Sequence, residues 1–334
     1  MPAGHGATVA LDGFGAEQGF DVLAEGARLA AADGICVRVF GPAEELGLAG
    51  VDGVEVVPCT EWISNEEDPV PAVRSKKGAS VVQAARDVAE GRTDALASAG
   101  STGATMAAAT FGLRRLRGVQ RPALAAALPI PGRTVLFLDV GANVEARPQH
   151  LIQFAFLGAA FSEAVLEVEK PRVGLLSVGE ESGKGREEVV AAHAALSGAS
   201  GIEFVGNVEG RDLPAGAADV VVTDGFTGNV ALKLIEGTIR ELLDALREQI
   251  TATTRGKLGG LLIRPAARAL RTELDPDTYG GAYLLGLRGL VVIAHGSSGR
   301  RAIANAVRLA ARGVEHDVVG RLAERLPQRT KANV

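Results

Sequence analysis

Cysteine and aromatic residues are scarce in this chain. Two of its 334 residues are cysteine and 4% are aromatic. The chain therefore cannot build a disulfide framework, which favours a reducing cytoplasm. It also lacks a continuous apolar stretch of the ~20 residues that cross a bilayer. The first residues, MPAGHGATVALDG, have neither the cationic start nor the apolar segment of a signal peptide. We expect a cytoplasmic protein.

The chain has no excess of positive charge. Lys and Arg number 35 against 40 Asp and Glu, giving a formal net charge of −5, which argues against nucleic acid as a partner. Glycine, by contrast, is abundant, since 43 residues are nearly twice the average share of about 7%. The chain therefore needs many tight turns or close backbone contacts.

Short apolar segments alternate with alanine-rich helical patterns along the whole chain. Such segments are typical of strands buried on both faces, as in parallel sheets covered by helices. The alternation predicts a single doubly wound α/β domain over residues 1–334. The predicted strands are 7–11, 35–40, 54–57, 95–99, 134–139, 172–178, 202–206, 219–224 and 290–295, and the predicted helices include 20–32, 80–90 and 103–115.

Five predicted strands lead directly into turns rich in small residues: ASAGSTGA, LDVGANVE, LSVGEESGKG, TDGFTGNVA and AHGSSGR. In an open parallel sheet such turns lie at the carboxyl ends of the strands, where ligands bind. Glycines allow close backbone approach, and helix N-termini offer N–H groups to anions. We expect the five turns to form an anion pocket at one sheet edge. Its candidate polar residues are Ser98, Ser101, Thr102, Asn143, Lys184, Asn207, Asp224, Asn229 and His295.

The common cofactor and catalytic motifs do not occur in this sequence. The run Gly13–Gly19 is one residue longer than a dinucleotide fingerprint, and Gly179–Gly185 is one residue shorter than a P-loop. There is no GxSxG motif for a serine hydrolase. The five histidines and two cysteines lack the spacing of metal ligands. We expect no nucleotide, metal or other cofactor.

An anion pocket without these groups suits a substrate that brings its own nucleophile. Inorganic phosphate needs to be positioned more than activated, and a lysine with backbone N–H groups can hold it. An asparagine side chain or another N–H group can stabilise the oxyanion of an attacked carbonyl. Lys184, in the turn ESGKG at a predicted helix start, is the candidate cation.

Residues 230–275 interrupt the alternation. Apolar residues at positions 232–250 keep helical spacing and predict an amphipathic helix of about five turns. Two glycines in the next segment weaken a helix, and Pro265 is expected to interrupt it. Residues 255–264 combine aliphatic and basic side chains, which suits contact with a membrane interface. A helical hairpin packed against a second subunit is equally sensible, and the two contacts are compatible.

Seven stretches spread over nearly the whole chain match one known family in its order. They are SAGSTGA (98–104), LDVGANVE (138–145), VGLLSVGEESGKG (173–185), VGNVEGRD (205–212), DGFTGNVALK (224–233), DPDTYGGAYLLGLRG (275–289) and AHGSS (294–298). Through them the sequence resembles the bacterial phosphate acyltransferases, which transfer a fatty acyl group from acyl carrier protein to phosphate for phospholipid synthesis. The resemblance implies a Rossmann-like three-layer α/β/α fold with a mostly parallel sheet, a homodimer and no metal or nucleotide. The pattern of residues 230–275 adds a protruding helical hairpin to this fold.

The resemblance also implies particular residues and partners. Lys184 and Asn229 correspond to the residues held catalytic in the family, and acyl carrier protein and inorganic phosphate are the implied partners. Residues 255–264 correspond to the apolar tip through which family members contact the membrane peripherally. The substrate- or phosphate-binding candidates are Ser98, Gly100, Ser101, Thr102, Gly103, Asp139, Gly141, Asn143, Asn207, Asp224, Gly228 and His295.

The sequence departs from the family pattern near its start. Residues 12–20 keep only Asp12 and one glycine of the usual DAMGGDxxP, Ser101 replaces the Asn of SAGNTGA, and KKDSS has become KKGAS at 76–80. Losing one hydrogen bond to a charged ligand costs ~1.5–3 kcal/mol, so either the activity survives with an altered substrate preference or this chain is a specialised paralogue. Two alternatives stay open: a phosphotransacetylase-like enzyme that uses acyl-CoA, and a divergent protein that binds carrier protein without catalysis.

Overall fold

A computed structural model describes residues 6–130 and 132–326. Within them, the strands are β1 Thr8–Asp12, β2 Cys36–Gly41, β3 Val54–Pro58, β4 Ala95–Ser98, β5 Ala123–Ile130, β6 Arg133–Leu138, β7 Arg172–Leu176, β8 Glu203–Val208, β9 Val220–Val222, β10 Ala282–Leu285 and β11 Leu290–Ile293. The helices are α1 Phe20–Ala31, α2 Ala43–Leu46, α3 Pro69–Ser75, α4 Ser80–Ala89, α5 Thr102–Leu113, α6 Pro148–Val165, α7 Glu187–Ser197, α8 Asp212–Ala215, α9 Gly225–Thr251, α10 Thr254–Leu274, α11 Pro276–Tyr279, α12 Arg300–Glu315 and α13 Val318–Arg325.

The described strands form one sheet in the order β3-β2-β1-β4-β11-β10-β5-β6-β9-β7-β8. The first five of these run parallel to one another, as do the last four. Between them, β10 is antiparallel to both β11 and β5, and β5 is antiparallel to β6. Three reversals separate the two parallel groups, so the two halves of the sheet run in opposite directions.

This topology corrects the expectation that all five glycine-rich turns share one sheet edge. The turns after β4 and β11 lie at one edge, whereas those after β6, β7 and β9 lie at the opposite edge. The expectation was wrong because β5 and β10, the strands at which the direction changes, were not among the predicted strands. β5 reads ALAAALPI, and alanine is a strong helix former; β10 has only four residues.

Helices cover both faces of the sheet, which confirms the expected three-layer α/β/α fold. Side chains alternate along each strand, so Val9 and Leu11 of β1 join one buried cluster while Ala10 joins the other. Helices α1, α6, α12 and α13 pack in the first cluster, and α3, α4, α5 and the start of α9 pack in the second.

Helices α9 and α10 form the predicted hairpin. The 27 residues of α9 span about 40 Å at 1.5 Å per residue. Pro265 does not interrupt α10, which continues from Thr254 to Leu274; this corrects the sequence-based expectation. Because α10 buries none of its residues, its length does not depend on core packing. No helix in the described residues is both long and apolar enough to cross a membrane.

Candidate active site

A cleft of about 290 Å³ lies on the face of the sheet that carries α5 and α9. Leu124 and Ala126 of β5 contribute to its apolar surface. Four sequence-predicted site residues line it, namely Thr102, Gly141, Asn229 and His295. Further polar residues along its walls are Lys233, Glu236, Asp277, Tyr279 and Ser298. The cleft therefore combines turns from the two opposite edges of the sheet.

Helix α9 explains how turns from opposite edges reach one cleft. It begins after β9 at one edge, and its Glu236 lies 3.4 Å from His295, which follows β11 at the other edge. Its start is fixed by Asp224, which accepts a hydrogen bond from Thr227 N at 2.9 Å. A Cβ on Gly228 would lie 1.9 Å from the carbonyl oxygen of Asp139, so glycine is needed for the first turn to pack this closely.

Asp139 organises the turn after β6 instead of lining the cleft. Its side chain is fully buried. Its Oδ1 accepts hydrogen bonds from the backbone N–H groups of Leu124, Gly141 and Ala142, and its Oδ2 accepts two from Asn143. Burial raises the pKa of Asp139, although these hydrogen bonds oppose the rise. Asn143 is likewise buried, and its carbonyl accepts from Gly225 N at 2.7 Å. Both candidates thus position Gly141 and α9.

Ser98 belongs to a buried network centred on Asp12. The Asp12 carboxylate accepts hydrogen bonds from Ser80 Oγ at 2.6 Å and from Ser98 Oγ at 2.9 Å. Burial raises the pKa of Asp12 to about 6, although both hydroxyl groups favour the ionised form. Gly100 packs against this network, since a Cβ there would lie 3.0 Å from Asp12 Oδ2. Ser98 and Gly100 therefore support the turn behind the cleft.

Ser101, Thr102 and Gly103 form the start of α5. Ser101 is the N-cap and accepts a hydrogen bond from Ala104 N at 3.4 Å. Thr102 is the first helical residue and is exposed in the cleft. Gly103 packs against α3, because a Cβ there would lie 2.7 Å from Pro69 Cγ. The N-terminal N–H groups of a helix favour anions, so this end of α5 suits a negatively charged substrate.

Lys184 is exposed in the turn after β7 and is not among the residues that line the cleft. This turn lies at the same sheet edge as the start of α9, because β7 and β9 are parallel neighbours. The Arg186 guanidinium pairs with Asp224, the N-cap of α9. Asn207 supports the turn, since its Nδ2 donates to Glu181 O at 2.8 Å.

Three charged residues of the cleft, Lys233, Glu236 and Asp277, were not among the predicted site residues. Lys233 Nζ lies 3.0 Å from His295 Nδ1 and 3.3 Å from Glu236 Oε2. Lys233 lies four residues after Asn229, one helical turn further along the same face. That spacing could have identified Lys233. Nothing comparable pointed to Asp277, which reaches the cleft through the short helix α11.

The fold is that of solved phosphotransacetylases. A branched-chain phosphotransacylase from Enterococcus faecalis gives a TM-score of 0.60 at 18% identity, covering 93% of this chain and 99% of that one. The EutD phosphotransacetylase from Staphylococcus aureus gives a TM-score of 0.58 at 16% identity, and the match covers 93% of this chain and 95% of that one. At these identities the likeness concerns the fold alone.

The chain belongs to the family described as fatty acid synthesis protein, which matches residues 7–321. A relative from Elusimicrobium minutum is 43% identical over 96% of both chains, and one from Heliobacterium modesticaldum is 47% identical over 82% of both. Both are named phosphate acyltransferase. These matches confirm the resemblance found in the sequence and place the chain among acyltransferases.

Proposed function

We propose that this protein transfers a fatty acyl group from the thioester of acyl carrier protein to inorganic phosphate, giving an acyl phosphate for phospholipid synthesis. The observation that carries the proposal is the similarity, over nearly the whole chain, to relatives named phosphate acyltransferase. The cleft supports it, because it combines an apolar surface with polar side chains and the N-terminus of α5. An acyl thioester and a phosphate need both kinds of surface.

Two side chains have defined roles in the proposed reaction. Lys184 binds phosphate and neutralises its charge, approaching the cleft from the edge of the sheet where α9 begins. Asn229 lies in the cleft, and its Nδ2 is 3.2 Å from the carbonyl oxygen of Val140. Its amide orients phosphate or polarises the thioester carbonyl, as oxyanion-stabilising amides do.

The proposal is tested by incubating the protein with acyl-acyl carrier protein and phosphate and trapping the acyl phosphate with hydroxylamine. Trapped product should require both substrates. Lys184→Ala and Asn229→Ala should each lower its rate by about 100-fold or more, the usual effect of losing a group that stabilises transition-state charge. Lys170→Ala is the matched control, because Lys170 is an exposed lysine just before β7, at the opposite end of that strand from Lys184.

The same assay distinguishes the two alternatives. Faster turnover with short-chain acyl-CoA than with acyl carrier protein would favour a phosphotransacetylase-like enzyme. Binding of carrier protein without phosphate-dependent loss of the thioester would favour a non-catalytic protein. Normal rates in the Lys184→Ala and Asn229→Ala variants would refute the assigned roles of these residues.

The hairpin supplies the proposed homodimer contact and a peripheral membrane contact. Leu242 and Leu246 are exposed one helical turn apart on α9, and an unpaired apolar stripe of this kind fits a second copy of the chain. Residues 255–264 at the start of α10 include Leu262, which is 80% exposed. Leu242→Glu should dissociate the dimer in sedimentation experiments, whereas Leu262→Glu should abolish binding to anionic lipid vesicles and leave the dimer intact.

A further inference from the structure

Three titratable side chains of the cleft form a compact group. Lys233 Nζ lies 3.0 Å from His295 Nδ1 and 3.3 Å from His295 Nε2. Glu236 Oε1 lies 3.4 Å from His295 Nε2, and Glu236 Oε2 lies 3.3 Å from Lys233 Nζ. Among the described residues that line the cleft, Lys233 is the only lysine or arginine. The group joins α9 to the turn after β11, so it bridges the two halves of the sheet.

The contact with Glu236 assigns the ring proton of His295. An ionised carboxylate only accepts hydrogen bonds, so Nε2, which lies 3.4 Å from Glu236 Oε1, carries the proton. Nδ1 then keeps its lone pair, and Lys233 Nζ lies close to both ring nitrogens. Burial opposes the ionisation of Glu236, but the hydrogen bond with His295 and the charge of Lys233 hold the pKa of Glu236 below its usual value. A carboxylate that receives one imidazole N–H fixes the ring, as in catalytic triads.

The proposed reaction requires one proton transfer. Hydrogen phosphate attacks the thioester carbonyl through an unprotonated oxygen, so a C–O bond forms and the C–S bond breaks. The products are an acyl phosphate and a thiolate. The hydroxyl proton left on the phosphoryl group has to reach the sulfur to give a neutral thiol. No other reactant is needed for this balance, but a group that accepts and then donates the proton is needed between the two sites.

We propose that His295 is this group, accepting the phosphoryl proton at Nδ1 and passing it to the departing thiolate, which extends the proposed acyl transfer. Lys233 holds the phosphate beside it, because two groups 3.0 Å apart can each contact a different oxygen of one tetrahedral ion. Glu236 is a positioning residue that acts through His295. Thr102 at the start of α5 and Ser298 just before α12 line the same cleft and provide further polar contacts.

The role of His295 is tested with two acyl donors that differ only in the leaving group. Acyl carrier protein releases an alkyl thiolate, which needs a proton, whereas a thiophenol ester of the same acyl group releases a stable thiolate. His295→Ala should slow phosphate-dependent transfer from the alkyl thioester by about 100- to 10,000-fold, the usual contribution of a positioned acid or base. The loss should be at least ten times smaller with the aryl thioester. Free imidazole should restore part of the alkyl rate.

His193→Ala is the matched control, because His193 is a half-buried histidine on α7 that packs against Phe204 outside the cleft. This variant should keep the wild-type rate with both donors and should not respond to imidazole. Lys233→Ala should mainly raise the KM for phosphate, whereas Glu236→Ala should lower kcat and Glu236→Gln, which retains an acceptor oxygen, should recover part of it.

Equal losses with both donors in His295→Ala, or no loss with either, would overturn the inference while the acyl transfer itself stood. If the wild-type protein consumed neither thioester in a phosphate-dependent way, the proposed function would fail and the inference would fail with it. These outcomes are separated by the wild-type measurement alone.

Discussion

Replacing Asp139 by asparagine should destabilise the protein strongly, although the two side chains have nearly the same shape. Asp139 is fully buried, and its two oxygens accept five hydrogen bonds from Leu124, Gly141, Ala142 and Asn143. Asparagine keeps one oxygen, which in its best orientation serves the three backbone donors. Its NH₂ group then faces the backbone N–H and the side-chain amide of Asn143, and these two hydrogen bonds are lost.

Each hydrogen bond to a charged group is worth ~1.5–3 kcal/mol, so two lost bonds correspond to about 3–6 kcal/mol. Burial raises the pKa of Asp139, which means that burying its charge is unfavourable, and the neutral asparagine removes this unfavourable contribution. The decrease in the free energy of unfolding should therefore lie at the lower end of that range, about 3 kcal/mol, compared with the ~5–15 kcal/mol total of a typical protein.

The measurement is urea unfolding followed by circular dichroism at neutral pH. The denaturation midpoint should fall while its slope with urea is unchanged. Asp275→Asn is the matched control, because Asp275 accepts a single backbone hydrogen bond as the N-cap of α11 and an asparagine oxygen can replace it. A loss of less than about 1 kcal/mol in Asp139→Asn, close to an ordinary neutral hydrogen bond, would refute the account of this turn.

Three further variants test other parts of the site. Because the pKa of Asp12 is raised from 3.8 to about 6, its contribution to stability is complete below pH 3.8 and is lost as the pH rises through 6. The free energy of unfolding of Asp12→Asn, relative to that of the wild type, should therefore rise by about 3 kcal/mol between pH 4 and pH 7. Urea unfolding at several pH values measures it, and a pH-independent difference would contradict this. Arg186→Gln should free the Lys184 turn from Asp224 and lower kcat several-fold at a stability cost of ~1 kcal/mol, which activity and thermal unfolding together would check. Gly228→Ala should cost about 1–3 kcal/mol by overpacking against Asp139, whereas Gly237→Ala on the same helix, where a Cβ meets nothing within 4 Å, should not.

Much of the fold could be predicted because the local signals are strong. Continuous apolar runs such as TVLFLD and DVVVTD identified the buried strands, and the alternation with helices identified the α/β class. The direction of the second half of the sheet could not be predicted in this way. It depends on the pairing of Tyr283 with Ala125 and of Ala126 with Phe137, and the first pair is far apart in the sequence. The alanine-rich pattern of β5 also gives no strand signal.

The sequence allowed the turns of the candidate site to be predicted, but not the role of each side chain within them. Glycine patterns identified the turns, because their close contacts exclude side chains at positions such as Gly228. The polarity of Ser98, Asp139 and Asn143 suggested contact with substrate. In the structure, however, these side chains form hydrogen bonds with other groups of the protein. Sequence alone does not show whether a polar group faces a ligand or a neighbouring backbone.

The residues that depart from the family pattern near the start of the chain do not line the cleft. None of the residues 13–20 lines it; several of them border a separate groove with Trp62. Asp12 keeps its hydroxyl partners because Ser80, the last residue of KKGAS, still donates to it. Ser101 caps α5, a position at which serine and asparagine are about equally good. The substitution of asparagine by serine therefore preserves the start of α5, whose Thr102 lines the cleft, which favours retained catalysis over a purely binding role.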